Sequence, residues 1–402
     1  MISFSHEVHW LFQIDVATLD DRVQQLADRL LDKRYNKKKD AIISDFETFL
    51  KKCDENKSLI LCTPKDILRF LVFRDTNGKT QIHKVSCPFL GQTGLHPCGC
   101  AIRLSAGTVS NIISQLKAFF QSVGMGDSWS VASGKGNPAA APQVMQYLMS
   151  TRHEQAEAHI VAKQAKPLFL GKLLHLCQYW HNELEGYLTQ KQRFIILRDR
   201  AFFTLQFFAG DRASDLTYLV GQEVKLLKDG SGVYIRLTFG KQWHGEDHND
   251  FVILRCKEKI VCPISALESY NSWCKNLGED ITKGYVFRLF PNGRSVIRMT
   301  SNVAYKQLKS HLRAIALDDG ETPHGIRAGN SISLLLGGVD DPSIMSHVGW
   351  KSQSTFSHYT RQSLFGSVQA AQSLSKQTNT TSCIPESHYN SLDRQTMQSF
   401  FA

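Results

Sequence analysis

The stretch HGIRAGNSISLLLGGVDDPSIMSHVGWKSQSTFSHYTR, His324 to Arg361, opens with a histidine and an arginine one helical turn apart, His324 and Arg327. The apolar run Leu334-Leu335-Leu336 follows, then Gly337-Gly338, then Trp350, and then a tyrosine, Tyr359, between His358 and Thr360. In a helix the i, i+3 spacing puts His324 and Arg327 on one face, and the leucines supply a buried face beneath them. A guanidinium and an imidazole aimed at one point suit an anionic substrate such as a phosphodiester. A tyrosine close by is a candidate nucleophile. With 15 His and 47 Lys+Arg in 402 residues, a His followed three positions later by a cation is expected about twice by chance, so the weight lies in joint order and spacing.

That order and spacing resemble the C-terminal signature of the tyrosine recombinases, the phage-integrase family. Their pattern is H-x-x-R, a G-H or G-W pair, and a catalytic tyrosine nine positions after that His or Trp. The matching residues are His324, Arg327, Gly349-Trp350 and Tyr359. The family pattern also expects an upstream Arg after a Gly, opening a helix, with an acidic residue three positions on; Arg212 and Asp215 stand there, in GDRASDLTYL. It expects a Lys in the turn after a strand, and Lys241 follows Thr238-Phe239-Gly240. Two positions depart from the commonest pattern. Asp211 stands where relatives usually carry an apolar residue, which bears on local packing more than on chemistry. Trp350 replaces the more frequent His and is a recognised variant.

The resemblance implies a role for each residue. Tyrosine has a pKa near 10, so attack on a phosphate at neutral pH needs a stabilised transition state. Arg212 and Arg327 would clamp the non-bridging oxygens. His324 would hydrogen-bond the phosphate or take the tyrosine proton, and Asp215 would orient His324 or Arg212. Trp350 can donate its indole N–H but cannot act as a base. Lys241 would protonate the leaving 5′-oxygen. The product is a 3′-phosphotyrosine, formed without ATP or a catalytic metal. Taken singly, each residue has a plainer explanation: a surface helix pair for Arg212 and Asp215, an exposed turn lysine for Lys241, packing aromatics for Trp350 and Tyr359.

Outward from this stretch, composition bounds the rest. A length of 402 residues suggests two or three domains. The 42% hydrophobic and 21% charged fractions are those of a folded soluble protein, and the net charge of +10 favours polyanionic partners. The start, MISFSHEVHW, lacks a basic segment followed by an apolar core, so it does not read as a secretory signal. No apolar run approaches the ~20 residues of a membrane span. Ten cysteines without a signal peptide imply reduced thiols, with any cluster a metal candidate.

Residues 1–19 form an uninformative N-terminal segment. From Asp20 the pattern turns helical: Val23, Leu26, Leu30 and Leu31, then a basic run RYNKKKD (Arg34 to Asp40) heading a helix with Ile42, Phe46 and Leu50. That run is either a solvated face or a phosphate contact. Thr63-Pro64 opens a third helix and Ser105 a fourth. Between them, residues 81–103 bring together His83, Cys87, Cys98 and Cys100, a plausible tetrahedral zinc set, with Gly91, Gly94 and Gly99 allowing tight turns. His96 competes with His83, and three unrelated thiols are the simpler alternative. Residues 20–166 resemble the ALOG domain, a helical DNA-binding domain with an inserted zinc ribbon, related to the N-terminal domains of tyrosine recombinases from DIRS- and Crypton-type mobile elements. A Gly/Pro/Ala-rich break at 133–143 precedes a long helix through Met145, Leu148 and Ile160, ending before Pro167.

Residues 167–372 read as the catalytic domain. Helices are expected over Leu168–Leu184 and Gln192–Phe208, the second a core helix, with strands at Val224–Leu227, Val233–Phe239 and Phe251–Leu254. Further helices are expected from Pro263 and over Val303–Ala316. Residues 373–402 are a Ser/Thr/Gln-rich tail, read as flexible. The expected fold is mostly α: a helical ALOG-like domain, then an α+β domain with a small antiparallel sheet. The resemblance implies double-stranded DNA as partner, a homotetramer on paired sites, and site-specific strand cleavage and rejoining by a mobile-element integrase. The setting is intracellular, and nuclear in a eukaryotic host. Rival readings are a type IB topoisomerase and a domesticated, non-catalytic DNA-binding protein.

Overall fold

In the computed structural model, which describes residues 16–30, 33–53, 57–160, 165–240, 248–290 and 297–360, helix ends fall where the sequence supplies caps. Thirteen α-helices and three small antiparallel sheets stand among the described residues. The chain divides into two compact units, Met1–Lys163 and Gln164–Ala402.

The first unit holds α1 (Val16–Leu30), α2 (Lys33–Cys53), α3 (Pro64–Arg74), α4 (Ala106–Ser122) and α5 (Pro142–Glu157). Thr63 and Asp66 form a capping box at the start of α3, and Ser105 caps α4. Phe46, Phe70, Leu71, Val109, Leu116, Phe120 and Val144 interlock as its core. β1 (Thr80–Ile82) and β2 (Ala101–Arg103) pair antiparallel at the base of the Cys-rich insertion, and β3 (Trp129–Ser130) pairs with β4 (Lys135–Gly136). The expectation that the last helix runs through Ile160 is corrected. Helix α5 ends at Glu157, where His159 turns left-handed (φ 54°) and the N–H groups of His159 and Ile160 donate to the carbonyls of Ala156 and Gln155. This paired reversal closes a helix without needing glycine.

The second unit is built on α7 (Gln190–Ala209), which follows α6 (Leu170–Glu185). Helix α7 is buried on every side, by Phe194, Phe202, Phe203, Leu205 and Phe207 among others, as its all-round apolar pattern predicts. It also buries charge. Arg198 donates to the Asp199 carboxylate, whose other oxygen stands 3.0 Å from His311 Nε2. Gly210, at φ 60°, stops α7, and the short α8 (Ala213–Leu216) begins with Arg212 as its N-cap. The sheet is β5 (Val224–Leu226), β6 (Gly232–Leu237) and β7 (Asn249–Leu254), all antiparallel, with Ile235 opposite Phe251. Then come α9 (Pro263–Asn276), α10 (Ser301–Ala314), α11 (Pro323–Leu336), α12 (Asp341–Val348) and α13 (Gln353–Thr360). Lys241 and the 373–402 tail lie outside the described residues.

Beneath His324 and Arg327 the buried face differs from the expected one. Leu334, Leu335 and Leu336 are only half-buried; the covered positions of α11 are Pro323 and the whole run from Gly325 to Ile332, with Ile326 and Ile332 its large apolar side chains. The extended backbone at Lys166–Leu168 lies directly on Gly325 and Gly329, and Leu168 N–H donates to Gly325 O at 2.9 Å. Only glycine permits so close an approach.

Candidate active site

The end of α7, the start of α8, α11, the turn after α12, and α13 converge on one point. Helix α12 ends with Gly349 in the left-handed region (φ 72°), and the N–H of Trp350 folds back to Met345 O at 2.8 Å. A Cβ on Gly349 would come within 2.9 Å of the Asn249 side chain, which adds a steric reason for glycine there. This turn aims the buried Trp350 ring at Arg327, whose guanidinium carbon stands 4.9 Å from the ring centroid. Helix α13 brings Tyr359 to the same place, with its ring centroid 5.1 Å from that of Trp350 and 5.6 Å from the Arg327 guanidinium carbon. Tyr359 Oη lies 3.2 Å from Nδ1 of the exposed His324.

Arg327 is fully buried. Its Nη1 donates to Gly210 O at 2.9 Å and to Asp211 Oδ1 at 3.4 Å. Its Nε and Nη2, and the indole Nε1 of Trp350, are buried donors with no acceptor among the described residues. Burial pushes Arg327 down to about 10, against the pull of Asp211. On the facing segment, Arg212 Nη1 pairs with Asp215 Oδ2 at 3.3 Å, and Ser214 Oγ donates to the other oxygen of that buried carboxylate. Asp215 thus stands beside Arg212, one of the two partners expected for it.

Sequence reasoning missed the part played by Asp211. It is no packing irregularity. Its buried Oδ1 accepts from Arg212 N–H at 2.7 Å and reaches Arg327 from the other side. Burial pushes its carboxyl up to about 6, while Arg327 pulls the other way. Asp211 and Arg327 are 116 positions apart, and no local pattern marks that contact.

The first unit carries a separate cluster. One ligand atom from each of His83, Cys87, Cys98 and Cys100 lies within 4.8 Å of the others. His83 Nδ1 stands 3.5 Å from Cys87 Sγ and 3.4 Å from Cys98 Sγ. A tetrahedron with Zn–N and Zn–S bonds of 2.0–2.3 Å has ligand–ligand edges of about 3.4–3.8 Å, which the two His83–Cys distances match, and one imidazole with three thiols is a donor set that zinc takes. Gln81 pins the loop: its amide donates to Cys98 O and Cys100 O and accepts from His96 N–H. His96 itself stacks on Phe89 at 4.6 Å and stays outside the cluster. Gly91 and Gly94 take left-handed turns, whereas Gly99 does not.

Comparison with known proteins fits both units. Residues 24–153 match the ALOG domain, and residues 181–364 match the phage integrase family. The chain joins an ALOG domain to a phage-integrase, or tyrosine recombinase, domain. Protein LIGHT-DEPENDENT SHORT HYPOCOTYLS 5 of Arabidopsis thaliana is 34% identical over 118 residues, 28% of this chain and 62% of that protein. Protein G1-like5 of Oryza sativa subsp. japonica is 30% identical over 130 residues, 32% of this chain and 60% of that protein. The chain therefore spans about three-fifths of the length of these relatives. Among solved structures, the XerH site-specific recombinase in a post-cleavage complex with palindromic difH substrate has the same fold. It aligns with a TM-score of 0.53 at 14% identity, over 82% of this chain and 76% of that one. The converging side chains described above all lie within the segment matched to the integrase family.

Proposed function

We propose that this protein cleaves and rejoins duplex DNA at specific sites through a covalent 3′-phosphotyrosine on Tyr359. One observation carries the reading: a tyrosine hydroxyl in reach of a histidine, beside three buried donors that lack acceptors, Arg327 Nε and Nη2 and Trp350 Nε1. Buried donors are ordinarily paired. A phosphodiester brings two non-bridging oxygens with the charge and geometry for that edge of a guanidinium.

In the reaction, Tyr359 Oη attacks the phosphorus and its proton passes to His324 Nδ1, which accepts in the Nε2–H tautomer. Arg212, Arg327 and Trp350 hold the charge that develops on the non-bridging oxygens. The bond from phosphorus to the 5′-oxygen breaks, and Lys241 protonates that oxygen as it leaves. One phosphoester replaces another, so rejoining by a second 5′-hydroxyl is the same path in reverse. Asp215 holds Arg212 at the N-terminus of α8.

The proposal extends to a mobile-element integrase that acts on double-stranded DNA as a tetramer on paired sites, in the nucleus if the host is eukaryotic. A structural zinc on His83, Cys87, Cys98 and Cys100 would hold the insertion of the ALOG domain. The XerH likeness supports the DNA partner, since that recombinase is bound to its difH substrate. No described helix is long and apolar enough to cross a membrane. The test is covalent capture on a library of nicked duplexes, read as a denaturant-resistant protein–DNA adduct. Tyr359→Phe is expected to keep DNA binding and lose the adduct. An adduct that survives in Tyr359→Phe rules Tyr359 out as the nucleophile.

A further inference from the structure

The two arginines of the site come from segments more than a hundred positions apart, and something must set their separation. The segment Gly210-Asp211-Arg212 is held from several sides. Gly210 is left-handed, and a Cβ there would sit 2.4 Å from Asn330 Oδ1 on α11. The buried amide of Gln206 donates both to Asp211 O, at 3.2 Å, and to Pro323 O at the start of α11, at 2.9 Å. Within that frame, Asp211 Oδ1 accepts from the backbone N–H of Arg212 and from the guanidinium of Arg327. One carboxylate oxygen thus joins the segment that carries one arginine to the side chain of the other. An apolar residue at this position would have no acceptor to do so.

Resting on the recombinase reading, we propose that Asp211 is a positioning residue of the cleavage step: it fixes the Arg327 guanidinium relative to Arg212 so that both meet one phosphate. Asp211 does not touch the substrate. It occupies Nη1 and leaves Nε and Nη2 of Arg327 free for the non-bridging oxygens. The charged groups around it are Arg327 from α11, and Arg212 and Asp215 from its own segment. Tyr359 from α13 faces Arg327, and His347 from α12 is turned away to the carbonyl of Phe208 at 2.8 Å. The hold is strongest while the carboxylate is ionised, because a charged acceptor binds a guanidinium more tightly than a neutral one. Its carboxyl is pushed up to about 6 by burial, so the hold weakens as pH falls through that value.

The experiment compares wild type, D211A and D211N. It measures the single-turnover rate of covalent adduct formation at saturating protein, the apparent Kd for the same duplex, and the melting temperature, each from pH 5 to 8. At pH 7, D211A is expected to lose about 100-fold in rate, the cost of misplacing a catalytic group by roughly 1 Å. Its Kd should stay within about twofold, since affinity rests on many phosphate contacts. D211N keeps an acceptor but no charge, and should recover to within about tenfold of wild type, the difference between a charged and a neutral hydrogen bond. Wild type and D211N should converge below about pH 6, where wild type is itself neutral at this position.

A D211A rate equal to wild type overturns the inference. So does a D211N profile parallel to wild type across the range, or equal losses in D211A and D211N that track melting temperature alone. A wild type that forms no adduct at any pH overturns the recombinase reading and this inference with it. A wild type that forms the adduct, beside variants that show any of those three outcomes, overturns this inference alone.

Discussion

Gly329→Ala on α11 sets two effects of opposite sign against each other. Alanine is the better helix former by about 1 kcal/mol, so an exposed glycine changed in this way stabilises a helix. Gly329 is not exposed. Its added Cβ would lie 1.9 Å from the carbonyl oxygen of Leu168 and 2.6 Å from its carbon. Both are backbone atoms, and the segment must retreat by roughly 1 Å to reach even a tight contact, an overpacking cost of about 1–3 kcal/mol. That retreat also stretches the bond from Leu168 N–H to Gly325 O, worth about 1 kcal/mol. The net effect is a loss of about 1–3 kcal/mol, or roughly 3–9 °C in melting temperature for a unit of this size. Because α11 carries His324 and Arg327, a 1 Å displacement should also slow adduct formation by about 100-fold. Gly171→Ala is the control: it sits in the first turn of α6 with nothing within 4 Å of its Cβ position, and should be neutral or slightly stabilising. Thermal unfolding and adduct assays of the two variants decide the matter. A Gly329→Ala protein as stable and active as Gly171→Ala would refute the packing argument.

Two further outcomes follow from other parts of the molecule. Cys98→Ser should lower the zinc content of the purified protein, measured by metal analysis, and destabilise the ALOG domain, because a structural metal contributes folding free energy directly; metal-free wild type with all three cluster thiols freely titrating would exclude the site. The double variant Asp211→Leu/Arg327→Met replaces a buried ion pair with apolar groups and should leave stability unchanged or raise it by about 1–4 kcal/mol while abolishing the adduct; a large loss of stability would mean that the pair is held for folding rather than for reaction.

The sites that could be read from the chain are those where chemistry or a local cap imposes a residue type at a fixed spacing. The relation of His324, Arg327, Trp350 and Tyr359 is carried by two helices and a glycine turn, so their sequence intervals become positions in space. The core character of α7 was legible because its phenylalanines follow no one-sided period. Other features depended on tertiary context. The end of α5 lies in a left-handed histidine, a conformation that does not announce itself by residue type. The leucines at 334–336 look like core by hydropathy, yet α11 buries its preceding turns, where two glycines admit a neighbouring backbone. Asp211 was visible as an exception, but its reason, a guanidinium 116 positions away, was not.

The unpaired donors bear on why such a site exists at all. A buried polar group without a partner costs about 1–3 kcal/mol, more when charged. Left without any partner, three such donors, two of them on a cation, would cost several kcal/mol in a fold whose total stability is only about 5–15 kcal/mol. A chain under demand for stability alone would relieve this cheaply, by an acceptor at Trp350 Nε1 or an apolar residue in place of Arg327. Within the same unit the buried Arg198 shows what relief looks like: its Nε, Nη1 and Nη2 all donate, to Asp199 and to Arg288 O. Two arginines equally deep in one unit thus differ in one respect. Arg198 is satisfied by the protein, and Arg327 is left with an open edge beside a tyrosine hydroxyl that a histidine accompanies. An open edge of that charge is stabilised when an anion fills it. This is the condition for spending binding energy on a transition state rather than on the free protein.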